Sequence, residues 1–200
     1  MSYTFTIDFN NDKGTYNNIS NIINKFGIPN TIIELGVFEG RTTLWMSDVL
    51  SQHNPNLKIY AIDPHEISHD LVQDIKGVKE TFLDNLQQNE ASNIEYINKP
   101  STQGLLDLIN QGVKAEFIYI DGDHRASTVL SDLVLAYELL VPGGVILCDD
   151  ATDWQYVDEH GNKAAQLCPR MAIEAFIQCN WHNIKPLQLP YNCQTGFVKL

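Results

Sequence analysis

Basic residues are scarce. The 200 residues hold 13 Lys and Arg against 25 Asp and Glu, a formal net charge of −12 with a pI near 4.7. No Lys/Arg cluster offsets this, and such a surface repels a polyphosphate, so nucleic acid is not an expected partner. Long apolar runs are missing too. None reaches the roughly 20 residues that span a bilayer, so no membrane association is expected. The opening stretch, Met1 to Asp8, lacks a basic region followed by an apolar one, so a signal peptide is not expected. Cysteine is sparse, at Cys148, Cys168, Cys179 and Cys193, without CxxC or His-paired zinc spacing. Thiols in a reducing cytoplasm are the expectation. Repeats and low-complexity tracts are absent, and no linker composition interrupts the chain. Residues 1–200 therefore read as one domain, long enough to bury about 70% of its unfolded surface without staples.

What is present is an alternation of short apolar runs with segments of helical period, the signature of an α/β fold with a mainly parallel sheet. Ile19, Ile22, Ile23 and Phe26 predict a helix over 17–26, stopped by Gly27 and Pro29. Strands are predicted at 31–35, 58–63, 94–97, 116–121 and 145–149. Helices are predicted at 42–50, 79–88, 102–111, 127–140 and 171–179, with Pro142-Gly143-Gly144 ending the fourth. The tail carries two more strand candidates, 184–189 and 196–200, around a turn at Pro190-Tyr191-Asn192. Residues 151–170 read as irregular, and Trp154, Tyr156 and His160 make them a candidate substrate cover.

Acids gather at the strand ends. Asp63, Asp121 and Asp149 each close a strand, and Glu34 lies late in the first. In an open parallel sheet ligands bind outside the carboxyl ends of the strands, so four acids there line a negative crevice. The bland alternative is that each acid caps the turn or helix that follows it. The turn after the first strand, Gly36-Val37-Phe38-Glu39-Gly40, allows close backbone approach by a ligand. A dinucleotide fingerprint would have glycine where Phe38 stands, and Glu34 would face the diphosphate. Two like charges 4 Å apart repel by about 4 kcal/mol at an effective dielectric of 20. A cofactor carrying a sulfonium and an ammonium would instead be attracted. Asp63, about twenty residues on, suits the hydroxyls of an adenosine ribose. Asp121, Asp149 and Asp150 could form an all-oxygen site for Mg²⁺ or Ca²⁺, unless Asp149 and Asp150 merely bind backbone and cap the loop. His124, three residues past Asp121, is the candidate proton acceptor, or else a structural histidine.

Taken together these motifs resemble the class I methyltransferases that use S-adenosylmethionine. The resemblance runs from about Ile32 to Asp150, over Glu34-x-Gly36-x-Phe38-x-Gly40-x-Thr42, Ile62-Asp63-Pro64, Phe117–His124 and Leu140-x-Pro142-Gly143-Gly144 leading to Asp149-Asp150. Within the class it is similar to the small O-methyltransferases of the catechol type, and more so to the macrocin and mycinamicin sugar O-methyltransferases. Catechol-type enzymes have Asp-Asn at Asp149-Asp150 and Lys at His124; the sugar-modifying group tolerates both changes.

The resemblance implies a Rossmann-like, doubly wound sheet of seven strands, mostly parallel with the last antiparallel, and helices on both faces. It implies cofactor contacts at Glu34, Gly36, Gly40, Thr42, Asp63, Ser101 and Asp121, metal ligands at Asp121, Asp149 and Asp150, and catalytic roles for His124 and Asp121. The expected reaction is methyl transfer from S-adenosylmethionine to a hydroxyl of a small molecule, assisted by Mg²⁺, with a homo-oligomer left open. Two rivals stand beside it. A nicotinamide-dependent oxidoreductase shares the sheet and Asp63 but lacks a Tyr-x-x-x-Lys pair here. A protein on the same fold without transfer activity would keep the cofactor loop.

Overall fold

The computed structural model describes residues 3–7, 12–66, 77–89, 91–151, 165–191 and 193–200. Trp154, Tyr156 and His160, the aromatic part of the expected cover, lie outside them. Seven strands form one sheet: β1 (Thr31–Leu35), β2 (Lys58–Ile62), β3 (Ile94–Ile97), β4 (Ala115–Ile120), β5 (Leu140–Cys148), β6 (Ile184–Pro186) and β7 (Thr195–Lys199). Their order is β3-β2-β1-β4-β5-β7-β6. Neighbours from β3 to β5 pair in parallel, while β7 runs antiparallel to both β5 and β6. The expected seven strands with an antiparallel last strand are therefore present.

Helices α1 (Asp12–Phe26), α2 (Arg41–Ser51), α3 (Val78–Asn89), α4 (Ser101–Asn110), α5 (Ala126–Leu139) and α6 (Pro169–Cys179) cover both faces. Alternation along the strands separates the two cores. Ile33, Leu35, Ile118, Ile120 and Ile146 pack under α4, α5 and α6 with Leu105, Leu133 and Phe176. Ile32, Ile59, Phe117, Tyr119 and Leu147 pack under α1 and α2 with Ile19, Ile22 and Met46. Among the described residues no helix is long and apolar enough to cross a membrane.

Several boundaries shift by a residue or two, the strand expected over 184–189 ends at Pro186, and two elements start five residues before their expected positions. Helix α1 begins five residues early because Thr15 and Asn18, both buried, extend its inward stripe with polar side chains that an apolar count misses. Strand β5 absorbs Pro142-Gly143-Gly144. Leu140 pairs with Ala115, the register then slips, and Val145 pairs with Phe117. Gly143, at φ +81°, supplies the left-handed residue within this irregularity.

Strands β1 and β4 are neighbours, yet the chain leaves β1 towards β2 on one side and β4 towards β5 on the other. Their carboxyl ends thus open the crevice in which doubly wound sheets bind ligands.

Candidate functional site

Backbone hydrogen bonds carry the sheet register one residue past the strand ends. Asp121 N donates to Leu35 O (2.9 Å), Asp149 N to Ile120 O (2.9 Å), and Asp63 N to Ile97 O (3.2 Å). The three acids therefore stand at the same level along the rim. The glycine loop rises beside them with Gly36, Phe38 and Gly40 all left-handed, at φ +79°, +50° and +84°. A Cβ on Gly36 would lie 2.0 Å from Asp121 O, so only glycine lets the two loops pass. Gly40 caps α2 and rests on the Phe82 ring, which a Cβ would meet at 2.5 Å. Thr42 follows in the first turn of α2.

Asp63 holds this loop. Its Oδ2 accepts Val37 N (2.8 Å) and Phe38 N (3.0 Å), and its Oδ1 accepts His65 N (2.7 Å). A carboxylate offers about four lone-pair positions, so three are in use and one is left. The expected pair of ribose hydroxyls exceeds that capacity unless a loop contact is exchanged. His65, which sequence reasoning missed, completes the loop's support. Its ring contacts Phe38 O through Nε2 (2.7 Å) and Tyr96 Oη through Nδ1 (2.6 Å), and stacks on Phe82. Only its position two residues past Asp63 could have hinted at this.

Glu34 lies on β1 behind the loop and is 1% exposed. Among the described residues its Oε2 has no hydrogen-bond partner, and nor does Thr43 Oγ1. Burial lifts the Glu34 carboxyl to about 8; Asp63's charge adds to this, and the nearby Thr43 hydroxyl opposes it without forming a hydrogen bond of normal geometry. Ser101 opens α4, close to Asp132 on α5. That places Ser101 on the β2 side of the crevice, where Gly104 packs against Ile62.

The acids on the other side divide into two groups. Tyr119 Oη faces Asp149 Oδ2 at 2.5 Å and Asp121 Oδ2 at 3.0 Å. Gln194 Nε2 donates to Asp149 Oδ2 (2.9 Å), and Asp150 N donates to Asp149 Oδ1 (2.8 Å). Asp149 is thus enclosed by three donors. A buried relay continues behind it, with Gln194 bonded to Thr15 Oγ1 (3.0 Å) and Asn18 Nδ2 (2.8 Å). Burial pushes both the Asp121 and Asp149 carboxyls up, helped by the charges of Asp149 and Asp150 at Asp121 and by that of Asp150 at Asp149. Asp150, left-handed at φ +51°, turns away from Asp149 and meets His124, whose Nε2 lies 2.8 Å from Oδ2.

The ligand atoms of Asp121, His124 and Asp150 lie within 4.8 Å of one another, close enough to share a cation. Of the expected metal set, Asp121 and Asp150 are brought together with His124, whereas Asp149 belongs to the buried relay. The Asp149–Gln194 link could not be read from sequence, because 45 residues and an antiparallel strand separate the partners.

Similar folds exist among solved structures. An O-methyltransferase from Bacillus cereus in complex with SAH superposes with a TM-score of 0.68 at 16% identity, over 98% of this chain and 84% of that one. A TDP-rhamnose 3'-O-methyltransferase of calicheamicin biosynthesis gives 0.64 at 14% identity, over 90% and 76%. The O-methyltransferase TomG from Streptomyces achromogenes, in complex with SAM, gives 0.61 at 14%, over 93% and 77%. In sequence, an uncharacterized protein of Acanthamoeba polyphaga mimivirus is 28% identical over 143 residues; these span 70% of this chain and 58% of that protein's length. A family model described as a methyltransferase domain matches residues 33–151, more than half of the chain and the whole rim from the glycine loop to Asp150. The chain belongs to this methyltransferase-domain family.

Proposed function

We propose that the protein transfers a methyl group from S-adenosylmethionine to a hydroxyl of a small molecule. The observation that carries this reading is Glu34, a buried carboxyl with an unpartnered oxygen behind a left-handed glycine loop. A cationic amino-acid moiety would draw this carboxyl into its charged form and complete it, whereas a diphosphate would oppose that ionisation. Glu34, Gly36, Gly40 and Thr42 would hold that moiety, with Asp63 at the ribose and Ser101 at the base. The SAH- and SAM-bound relatives of the same fold support the assignment.

S-adenosylmethionine, when bound, supplies an electrophilic methyl group on a sulfonium. The chain's own task is to align the acceptor and take its proton. Alignment of this kind supplies roughly 7–11 kcal/mol of a barrier. In this reading His124 takes the hydroxyl proton, and the Asp150 carboxylate, 2.8 Å from its Nε2, would stabilise the imidazolium that forms. A divalent cation such as Mg²⁺ fits the donors Asp121 and Asp150 with His124 beside them, and there it would lower the acceptor's pKa. Asp149, enclosed by three donors, braces this group from behind. The four cysteines are all thiols, which suits a cytoplasmic setting.

The test is calorimetric titration with S-adenosylhomocysteine and with NAD, followed by transfer of labelled methyl to sugar and catechol acceptors with and without chelator. Micromolar SAH binding, methylated product and loss of turnover on chelation are expected. Preferential NAD binding would refute the reading. SAH binding without transfer to any acceptor would favour a protein that has kept the fold but not the reaction, and full turnover after chelation would remove the cation.

A further inference from the structure

Residues 3–7 cross the outside of the glycine loop and are held there by side chains of the loop and of two helices. Thr6 N donates to Glu39 Oε2 (2.7 Å), and the Thr6 hydroxyl donates to Glu39 Oε1. Arg41 Nη2 donates to Ile7 O (3.0 Å), and its guanidinium lies 4.3 Å over the Phe5 ring. Glu39 and Arg41 are the two neighbours of Gly40. A third tie comes from Asn85 on α3, which is fully buried. Its Oδ1 accepts Thr4 N (3.0 Å), and its Nδ2 donates both to Thr4 O (2.9 Å) and to Glu39 O (3.1 Å). Further out, Tyr3 donates its hydroxyl to Asp48 on α2.

Glu39 is the informative residue. It is only 2% exposed, although it belongs to a surface loop and carries a carboxyl. A carboxyl this far from water needs donors, and both of Thr6's are turned onto it. The far half of the loop is independently tied by Asp63 and His65. The loop's left-handed path at Phe38 and Gly40 is therefore secured from two sides, and one side is a chain segment more than 30 residues away.

We infer that residues 3–7 act as a clamp on the glycine loop, with Thr6 a positioning residue that sets cofactor affinity through Glu39. The inference rests on the assignment of the loop to S-adenosylmethionine. If the docked segment favours the binding-ready loop, the ligand must in turn favour the docked segment. Cofactor occupancy and seating of residues 3–7 are thus one coupled equilibrium.

The experiment compares wild type, Thr6→Val and Thr6→Ser. Calorimetry reads SAH affinity, and amide exchange reads the loop (Val37 to Gly40) and Thr4 and Thr6 in the unliganded and SAH-bound protein. Thr6→Val removes the hydroxyl donor at nearly equal volume and is expected to bind SAH about tenfold more weakly, given the strength of hydrogen bonds to a carboxylate. Its loop amides exchange faster, its melting temperature stays within a few degrees of wild type, and Thr6→Ser restores affinity to within about twofold. SAH is expected to slow exchange at Thr4 and Thr6 in the wild type. Wild-type affinity and wild-type loop exchange in Thr6→Val would overturn the clamp, as would weaker binding with no change in loop exchange. Failure of the wild type to bind SAH would instead refute the cofactor assignment, and loop exchange in unliganded Thr6→Val would still decide the clamp.

Discussion

Asp132 permits a test of the burial argument away from the reaction itself. It sits on α5 among Val129, Leu133 and Ala136, is 1% exposed, and neither carboxyl oxygen has a hydrogen-bond partner among the described residues. Burial raises its carboxyl from 3.8 to about 7; the Ser101 hydroxyl opposes the shift, and Asp123's charge adds to it. The folded protein therefore keeps a proton that the unfolded chain releases near pH 4. Below pH 4 both states hold it and stability is unaffected. As pH rises towards the folded value the unfolded state gains and stability falls. Between pH 5 and pH 7 the slope starts at 1.36 kcal/mol per decade and halves as the folded carboxyl itself ionises, a loss of about 2 kcal/mol. Asp132→Asn removes the titration while keeping the shape. Any fixed cost of burying the amide cancels when each protein is compared with itself. Urea unfolding at pH 5 and pH 7 should show wild type losing about 2 kcal/mol more than the variant over that interval. Equal losses in the two proteins would refute the assignment of this carboxyl as buried and protonated.

Gly36→Ala should cost about 2–4 kcal/mol in thermal or urea unfolding, since φ +79° and an Asp121 carbonyl 2.0 Å from the new Cβ both oppose it; a fully stable variant would mean that the two loops separate freely. His124→Ala should lower kcat by roughly 10²–10⁴-fold while leaving SAH affinity within about twofold; unchanged turnover would remove its role as base. Tyr119→Phe strips a donor from Asp149 and should destabilise the fold by about 1–3 kcal/mol at neutral pH. That loss should shrink in acid as the carboxyl protonates, a trend that urea unfolding over a series of falling pH values would reveal.

The strands were legible because fully buried parallel strands read as short β-branched runs, and Thr31–Leu35 and Ala115–Ile120 are of this kind. Helix α1 was only half legible. Its inward stripe includes Thr15 and Asn18, which are polar because their partners, Gln194 and Tyr191, present amide and backbone groups rather than hydrocarbon. Pattern reading scores polarity against burial, so a buried hydrogen-bonded stripe makes the helix start too late. The same blindness hid residues 3–7, whose anchors Glu39 and Asn85 are buried yet polar.

At the site, position was legible and allocation was not. Acids at strand ends follow from where strands stop, which one sequence reveals. What each acid can do depends on the donors that reach it, and these come from distant segments. Among the described residues Asp149 has three donors, from Tyr119, Gln194 and the Asp150 backbone, and Asp63 has three from the loop and His65. Asp121 shares Tyr119's single proton with Asp149, and Glu34 Oε2 has no partner. A saturated carboxylate has little left to offer a ligand, whereas a starved one gains most from a cation. Ranked by donors, Asp149 and Asp63 are braces first, and Asp121 and Glu34 are the groups that a cationic ligand would relieve. Spacing alone sets these acids at equivalent places along the rim and cannot rank them; the donors that reach each one do.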